Sequence, residues 1–270
     1  MFWNVRNGTI PMGVTQMDYI RFGSGPHNLV MLPGLGDGLL TVKGLAFPMA
    51  WMYREFLKDF TVHMFSRPRV LSPGSTTRDM ARDLKVAMDA LGIAKAHVFG
   101  VSMGGMIAQW FAIDYPQMVE KLVLVVTASK PNPVLLESVR EWIDQASRGD
   151  HTALMDSNMR RIYSEDYYRK NRWTVPLIGK LTKPKSYDRF LVQAEACLIH
   201  DTYELLPQIE SKTLVMGGEQ DHALTGEASY EIAKQIPSME LKMYPQWGHG
   251  LYDEEKSFNP VVRDWLLDRM

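Results

Sequence analysis

The sequence is poor in cysteine and has no long apolar run. Cys197 is the only cysteine among 270 residues, which excludes an intrachain disulfide and a cysteine-rich zinc site. No stretch reaches the roughly 18 to 20 consecutive apolar residues that a membrane-spanning helix requires. The opening residues MFWNVRNGTIPMG lack the basic and continuously apolar regions of a signal peptide. We therefore expect a cytoplasmic protein with no metal and no membrane partner.

The sequence also lacks an excess of charge of either sign. Lysine and arginine number 30 against 31 aspartate and glutamate residues, a formal net charge of −1. This balance gives no general attraction to nucleic acid or anionic lipid, so neither partner is expected. Apolar residues make up 46% and charged residues 23%, which is ordinary globular usage and excludes a disordered chain. At about 150 residues per domain, the length allows one large domain or two small ones.

Short apolar runs alternate with stretches of helical periodicity, which predicts an α/β fold around a largely parallel sheet. Strands are expected over residues 2–10, 15–22, 28–32, 61–65, 97–101, 122–127, 213–216 and 240–244. Helices are expected over residues 48–58, 76–91, 106–115, 226–236 and 260–269. The run at 122–127 is the most continuously apolar, as is typical of a central strand covered on both faces.

The alternation stops between residues 130 and 206, where no strand is predicted. Helices are expected there over 137–148, 152–163 and 186–200, separated in part by the proline-containing stretch 176–184. The simplest interpretation is one α/β core, residues 1–129 and 207–270, that carries a helical insertion at 130–206.

Residues 100–104 read Gly-Val-Ser-Met-Gly, between a predicted strand and a predicted helix. A serine on such a turn has its hydroxyl pushed out above the sheet, and Gly100 and Gly104 leave room for the backbone. The N–H of Met103 would then lie at a helix N-terminus, placed to receive a developing oxyanion. The alternative is an ordinary turn in which Ser102 caps the helix; the strand–turn–helix context favours a nucleophile.

A nucleophilic serine needs a base, and the base needs a carboxylate that orients it. Asp221 and His249 complete the order serine, aspartate, histidine. Each of the three follows the C-terminal end of a predicted strand, the edge at which open α/β sheets build their sites. Other carboxylates near this edge are weaker candidates, namely Glu219, Asp201 and Asp253.

On these motifs the chain resembles the α/β-hydrolase superfamily over nearly its whole length. The resemblance implies a mostly parallel sheet of eight strands with helices on both faces, and it makes the insertion at 130–206 a helical cap. It also implies an oxyanion hole formed by the N–H groups of Leu35 and Met103. Pro33 stands where the family commonly has histidine, which leaves the geometry of that loop open. Candidates for the substrate pocket are Gly34, Trp51, Met106 and Trp247, although core packing also accounts for the last three.

Two arginines, Arg67 and Arg69, follow the strand predicted at 61–65. They could hold an anionic group of a substrate. We favour the alternative that they are solvated loop charges, because no other feature of the sequence indicates an anion site.

The expected activity is that of a carboxylic ester hydrolase acting on a small-molecule substrate without a cofactor. One alternative is a hydrolase that cleaves a C–C bond in a diketone acid, in which Arg67 or Arg69 would hold the carboxylate. Another is a non-catalytic ligand-binding protein with the same fold, since fold alone does not determine chemistry. The sequence allows a monomer or a homodimer.

Overall fold

Eight strands form one sheet in the computed structural model, which describes residues 2–269. In chain order they are β1 (Arg6–Met12), β2 (Thr15–Gly23), β3 (His27–Leu32), β4 (Phe60–Pro68), β5 (Ala96–Val101), β6 (Val119–Val125), β7 (Lys212–Gly218) and β8 (Met239–Tyr244). Across the sheet the order is β1-β2-β4-β3-β5-β6-β7-β8. The pairs β1–β2 and β2–β4 are antiparallel, and all other pairs are parallel. The predicted α/β fold with a mostly parallel sheet of eight strands is confirmed.

Helices connect the strands and cover both faces of the sheet. They are α1 (Ala46–Met52), α2 (Thr77–Ala90), α3 (Met103–Asp114), α4 (Pro133–Ser147), α5 (His151–Ile162), α6 (Glu165–Asn171), α7 (Val175–Thr182), α8 (Asp188–Leu198), α9 (Glu227–Gln235), α10 (Leu251–Glu254) and α11 (Phe258–Leu266). Side chains of α2, α3 and α9 pack in the core on one face, and those of α1 and α11 pack on the other. Two-sided coverage explains why β5 is buried along its whole length.

The segment between β6 and β7 is helical throughout most of its length. We refer to α4–α8, residues 133–198, as the helical insertion. Helix α4 packs against α5 and α8, and α8 packs against the short 3-10 helix Leu35–Gly38 that follows β3. The division of the chain into a core (1–129 and 207–270) and a separate cap (130–206) stays a prediction.

The structure differs from the sequence-based prediction in several regions. Helix α1 ends at Met52 rather than at residue 58, and α6 is not predicted from the sequence. The first strand begins at Arg6, because residues Phe2–Asn4 form a 3-10 turn. Strand β4 continues to Pro68, beyond the predicted end at residue 65. The proline-containing stretch 176–184, expected to separate helices, contains α7, since Pro176 lies in the first turn of that helix, where its missing N–H costs no hydrogen bond. Among residues 2–269, no helix has the length and apolarity needed to cross a membrane.

Candidate active site

Ser102 lies on a sharp turn between β5 and α3. Its φ of 54° and ψ of −122° are strained for a residue with a side chain. The turn is held by hydrogen bonds from the N–H of Ser102 to the Val125 carbonyl (2.9 Å) and from Thr127 Oγ1 to the Ser102 carbonyl (2.7 Å). Neighbouring strands therefore fix a conformation that the isolated chain would avoid.

The glycines around Ser102 are required by packing. A Cβ at Gly100 would come within 2.7 Å of Gly105 Cα. A Cβ at Gly104 would collide with the Leu32 carbonyl group at the end of β3. Small residues on both sides of the serine thus allow α3 to start directly against the sheet, as the motif predicts.

His249 and Asp221 form a buried pair behind this turn. His249 Nδ1 lies 2.8 Å from Asp221 Oδ2, and the two side chains are 4% and 2% exposed. The other carboxylate oxygen, Oδ1, accepts hydrogen bonds of 2.8 Å from the N–H groups of Ala223 and Leu224. The carboxylate is thereby held in one orientation, and it favours the imidazole tautomer that carries a proton on Nδ1.

One cavity of about 330 Å³ contains both Ser102 and His249. Its lining combines residues of the β3 loop, of α1, of β4, of the helical insertion and of α10: Pro33, Gly34, Leu35, Gly36, Asp37, Leu40, Val42, Leu45, Met49, Met64, Trp142, Asn158, Ile162, Tyr163 and Tyr252. Most of these side chains are apolar, and the lining contains no lysine or arginine. The walls therefore suit a neutral, largely apolar molecule.

Two backbone N–H groups near Ser102 are free to bind a ligand. In residues 2–269, the N–H groups of Leu35 and Met103 donate no hydrogen bond to the protein. Leu35 lines the cavity, and a Cβ placed on neighbouring Gly34 would lie 3.8 Å from Ser102 Oγ. Met103 is the first residue of α3, where N–H groups have no partner within the helix.

A second, smaller cavity of about 200 Å³ adjoins the first beneath the same loop. The two share Pro33, Gly34, Met49, Met64 and Tyr252 in their linings. The walls of this inner chamber are otherwise mainly apolar, and they include Met31, Met52, Tyr53, Phe99 and Val101. Burial, together with the charge of Asp253, raises the pKa of Tyr252, so its phenol stays neutral. The inner chamber extends the apolar surface available to a ligand.

Arg67 is not a solvated loop charge, contrary to the interpretation favoured from sequence. It is 3% exposed because β4 continues through it. Its Nη2 donates to the Pro33 carbonyl (2.6 Å), and its backbone N–H donates to Asp37 Oδ2 (3.1 Å). Arg189, on α8, also pairs with the Asp37 carboxylate. We call Asp37, Arg67 and Arg189 the buried ionic cluster; it ties the β3 loop to both the sheet and the helical insertion.

Arg69 has a different environment from Arg67. Its side chain is 37% exposed, and its Nη2 lies 2.6 Å from Oδ1 of the buried Asp18. Neither arginine lines the cavity that contains Ser102. Both guanidinium groups are thus engaged by the protein itself.

Three residues proposed from sequence for the substrate pocket lie elsewhere. Trp51 is 58% exposed on the outer side of α1, next to the Trp3 ring. Met106 lies on α3 and is buried in the core. Trp247 Nε1 donates to Glu255 Oε2 at 2.8 Å. None of these three lines the cavity; of the four candidates, only Gly34 does.

The weaker carboxylate candidates have other partners. Glu219 Oε1 accepts a hydrogen bond of 2.5 Å from the Tyr230 hydroxyl. Asp201 Oδ1 accepts one of 3.1 Å from the N–H of Tyr203, at the start of a 3-10 helix. Asp253 is exposed and accepts one of 2.9 Å from the Tyr163 hydroxyl. Asp221 is the one of these four carboxylates that contacts His249.

Sequence reasoning missed the residues that the helical insertion contributes to the cavity. Trp142 comes from α4, Asn158 and Ile162 from α5, and Tyr163 from the residue that follows α5. Helical periodicity predicts that Trp142 is buried, but it does not predict whether the side chain contacts the core or the cavity. No motif accompanies these residues, so their location depends on how the insertion packs.

The chain is similar to known proteins in sequence and in fold. Residues 28–256 match the model of a family described as alpha/beta hydrolase fold. A 2-hydroxy-6-oxo-6-phenylhexa-2,4-dienoate hydrolase from Comamonas testosteroni is 28% identical over 239 residues, which cover 80% of this chain and 78% of that protein.

Two solved structures are similar in fold. The enol-lactonase from Burkholderia xenovorans LB400 has a TM-score of 0.81 and 21% identity, covering 96% of this chain and 100% of that chain. An alpha/beta hydrolase enzyme from a Medee basin deep-sea metagenome library has a TM-score of 0.82 and 22% identity, covering 96% of this chain and 97% of that chain.

Proposed function

Because the chain belongs to the alpha/beta hydrolase fold family, we propose that it is a serine hydrolase that cleaves small, uncharged carboxylic esters. The observation that carries this proposal is the cavity of about 330 Å³ in which Ser102 and His249 meet walls without lysine or arginine. A neutral ester leaves no charge to be paired when it enters such walls, whereas an anionic substrate would be desolvated without a counterion.

The proposed chemistry gives each of the three residues one role. Ser102 Oγ attacks the ester carbonyl carbon while His249 Nε2 takes the serine proton. Asp221 accepts the hydrogen bond from Nδ1–H and stabilises the imidazolium that forms. His249 then donates its proton to the departing alkoxide, which leaves the acyl group on Ser102. Water attacks that acyl-enzyme with His249 as the base, releasing the carboxylic acid.

The free N–H groups of Leu35 and Met103 are the proposed donors to the oxyanion of both tetrahedral intermediates. Donors fixed in the backbone need no reorganisation when the charge develops, and each is worth roughly 10²–10³ in rate. Strain at Ser102 supports the same assignment, since unusual backbone angles at a buried turn are retained where they position a reacting group.

A second candidate is cleavage of a C–C bond in a diketone acid. It is favoured by the relative from Comamonas testosteroni, whose name gives it a dienoate substrate. Such an acid carries a carboxylate that needs a cationic partner. Of the two arginines considered as that partner, Arg67 is bound to Pro33 and Asp37. Arg69 is bound to Asp18. The ester is therefore the preferred substrate class.

The test combines active-site labelling with a substrate panel. Wild-type protein, Ser102→Ala and the control Ser24→Ala are each incubated with a fluorophosphonate, and their intact masses are measured by mass spectrometry. Ser24 is an exposed serine outside the cavity. We expect a single adduct on wild type and on Ser24→Ala and none on Ser102→Ala. The absence of an adduct on folded wild type would contradict the proposal and favour the non-catalytic alternative.

The panel separates the two reactions. p-Nitrophenyl esters of short acids and 2-hydroxy-6-oxo-6-phenylhexa-2,4-dienoate are compared by kcat/KM. Ester turnover that disappears in Ser102→Ala, with little turnover of the dienoate, supports the ester assignment. Turnover of the dienoate with no ester activity would replace it by the C–C hydrolase.

A further inference from the structure

The outer face of the helical insertion exposes a concentrated group of large apolar side chains. Trp173 is 74% exposed, Leu177 58%, Ile178 41% and Leu181 75%. All four lie on α7 or on the 3-10 turn Arg172–Thr174 that leads into it. We call this group the α7 apolar face. Isolated exposed apolar residues need no explanation, but four within nine residues form a contiguous patch, which is typical of an interaction site.

This face is not left over from incomplete packing of α7. The opposite side of the helix already packs on α5, through the buried residues Val175 and Gly179. A Cβ on Gly179 would lie 3.6 Å from Thr152 Oγ1, an ordinary packing distance. The Thr182 hydroxyl is 3.2 Å from His151 Nε2. At 3.6 residues per turn, positions 173, 177 and 181 lie on the side away from 175, 179 and 182.

Cations flank the α7 apolar face along the chain. Residues 165–185 contain six exposed lysines and arginines, at 169, 170, 172, 180, 183 and 185, against two acidic residues, Glu165 and Asp166. In the part of the chain that the structure describes, Arg169 pairs with Asp166, whereas Lys170, Arg172, Lys180 and Lys185 have no ion pair. Two copies of the chain meeting at this face would bring these positive charges together. A negatively charged, apolar surface would complement both properties at once.

We propose that the α7 apolar face docks the protein on the surface of an anionic lipid bilayer. Trp173, Leu177 and Leu181 enter the boundary between headgroups and acyl chains, and the surrounding cations contact the anionic headgroups. An amphipathic helix with tryptophan and leucine on one side and lysine beside them lies in the plane of such an interface. The net charge of the whole chain is near zero, so it does not reveal the local excess of positive charge at residues 165–185. The expectation from sequence is therefore that the protein has no membrane partner.

The inference is independent of the proposed catalytic function. None of the α7 residues lines either cavity. Changes to this face are therefore expected to leave hydrolysis of a water-soluble ester unchanged. Helix α5 connects the two sites, since one part of it packs against α7 and another part, Asn158 and Ile162, lines the cavity. Docking would thus hold the cavity near the bilayer surface.

The test is co-sedimentation with vesicles of defined composition. Wild-type protein is mixed with vesicles of phosphatidylcholine alone, or with phosphatidylcholine and phosphatidylglycerol at about 3:1. We expect binding to the mixed vesicles that weakens with added salt, and much weaker binding to phosphatidylcholine alone. The triple variant Trp173→Ser/Leu177→Ser/Leu181→Ser should lower the partition coefficient by about tenfold or more. Val14→Ser/Ile199→Ser, which changes two exposed apolar residues elsewhere, should have no effect.

Charge is tested separately. Lys180→Glu/Lys185→Glu should reduce binding by at least 25-fold, at about fivefold for each cation removed, while Lys58→Glu/Lys95→Glu serves as the matched control. Equal binding of wild type and the triple variant would overturn the proposal. So would light scattering that shows a wild-type dimer, a monomeric triple variant and no vesicle binding, because a second copy would then cover the face.

Discussion

His249 Nδ1 lies 2.8 Å from Asp221 Oδ2, and the second oxygen of the same carboxylate accepts two backbone N–H groups. The two carboxylate oxygens therefore bind different partners. Oδ1 fixes the side chain to the loop after β7, and Oδ2 fixes the imidazole. Since both groups are buried, water does not compete for either hydrogen bond.

We expect Asp221→Asn to lower kcat by about 10³–10⁴ with little change in KM. The asparagine oxygen can still accept from Ala223 and Leu224, but its NH₂ group then faces His249 Nδ1. That arrangement favours the tautomer with the proton on Nε2, which cannot accept the serine proton. Steady-state kinetics on a p-nitrophenyl ester and circular dichroism of the variant check the prediction. Glu219→Gln is the control and should retain wild-type kcat; an equal loss in both variants would contradict this assignment.

The buried ionic cluster has one carboxylate for two guanidinium groups. Asp37 and Arg67 are 4% and 3% exposed, and Arg67 Nε and Nη1 have no hydrogen-bond partner in residues 2–269. Burial lowers the pKa of Arg67, and the Asp37 carboxylate opposes that shift. The Asp37 carboxylate therefore stabilises the packing of the β3 loop against the sheet and the helical insertion.

We expect Asp37→Asn to lower the free energy of unfolding by about 3 kcal/mol, because it leaves two buried cations without a counterion. Asp37→Asn/Arg189→Leu should recover part of this loss. Urea unfolding measures both, with Asp114→Asn as the control. Asp114 pairs with Arg78, which is 51% exposed, so that change should cost less than about 1 kcal/mol. Similar losses at Asp37 and Asp114 would contradict the interpretation.

The same cluster is expected to affect catalysis through the β3 loop. Arg67 donates to the Pro33 carbonyl, two residues before Leu35. Arg67→Met should therefore lower kcat on the ester by about tenfold or more with a smaller change in KM, since loss of the proposed oxyanion donor, the Leu35 N–H, affects the transition state. An Arg67→Met variant that changes KM alone would instead indicate a role in binding substrate.

The positions of Ser102, Asp221 and His249 could be predicted because each follows a recognisable apolar strand. Carboxyl ends of parallel strands lie at one edge of a sheet, so the three residues are expected at the same edge. Gly100 and Gly104 added a local constraint that few other turns share. For these residues, the local sequence motif and the strand topology both predict a position at the carboxyl edge of the sheet.

Arg67 and the α7 segment could not be predicted in this way. An Arg-Pro-Arg sequence is typical of a loop, and only the pairing of β4 with β2, in which Met17 lies opposite Pro68, extends the strand that far. Pro176 indicates a break unless it lies in the first turn of a helix, which depends on where the helix begins. Trp142 and Asn158 meet the cavity through the packing of α4 and α5, which local sequence does not determine.

Met64 lines both the cavity that contains Ser102 and the inner chamber. We expect Met64→Phe to shorten the apolar space and to reduce kcat/KM for a p-nitrophenyl hexanoate more than for the acetate. Met64→Ala should shift the preference toward longer chains, because the space becomes larger. For each variant, kcat/KM for the hexanoate is divided by kcat/KM for the acetate. This ratio is unaffected by a loss of folded protein, because such a loss lowers both values equally. Met239→Phe, on β8 and outside both linings, should leave the ratio unchanged; no change at Met64 either would mean that substrate does not reach the inner chamber.

Buried histidines are expected to make the fold sensitive to mild acid. Burial lowers the pKa of His63 to about 4, of His97 to about 4 and of His200 to about 3. The unfolded chain takes up these protons near pH 6.5, whereas the folded protein does not. The free energy of unfolding therefore falls as the pH drops from about 6.5 toward 4, by up to about 1.4 kcal/mol per pH unit for each group. Asp83, whose pKa burial raises to about 6, and Asp253, whose pKa burial also raises, act in the opposite direction but are fewer than the histidines.

His63→Leu tests this relation directly. His63 Nδ1 is buried without a hydrogen-bond partner in the described residues, so leucine loses no hydrogen bond there. We expect the variant to lose about 1 kcal/mol less stability than wild type between pH 6.5 and pH 5, measured by urea unfolding at several pH values. His222→Asn, at an exposed position, should leave the pH dependence unchanged. If His63→Leu and wild type followed parallel curves, proton uptake at His63 would not be the cause.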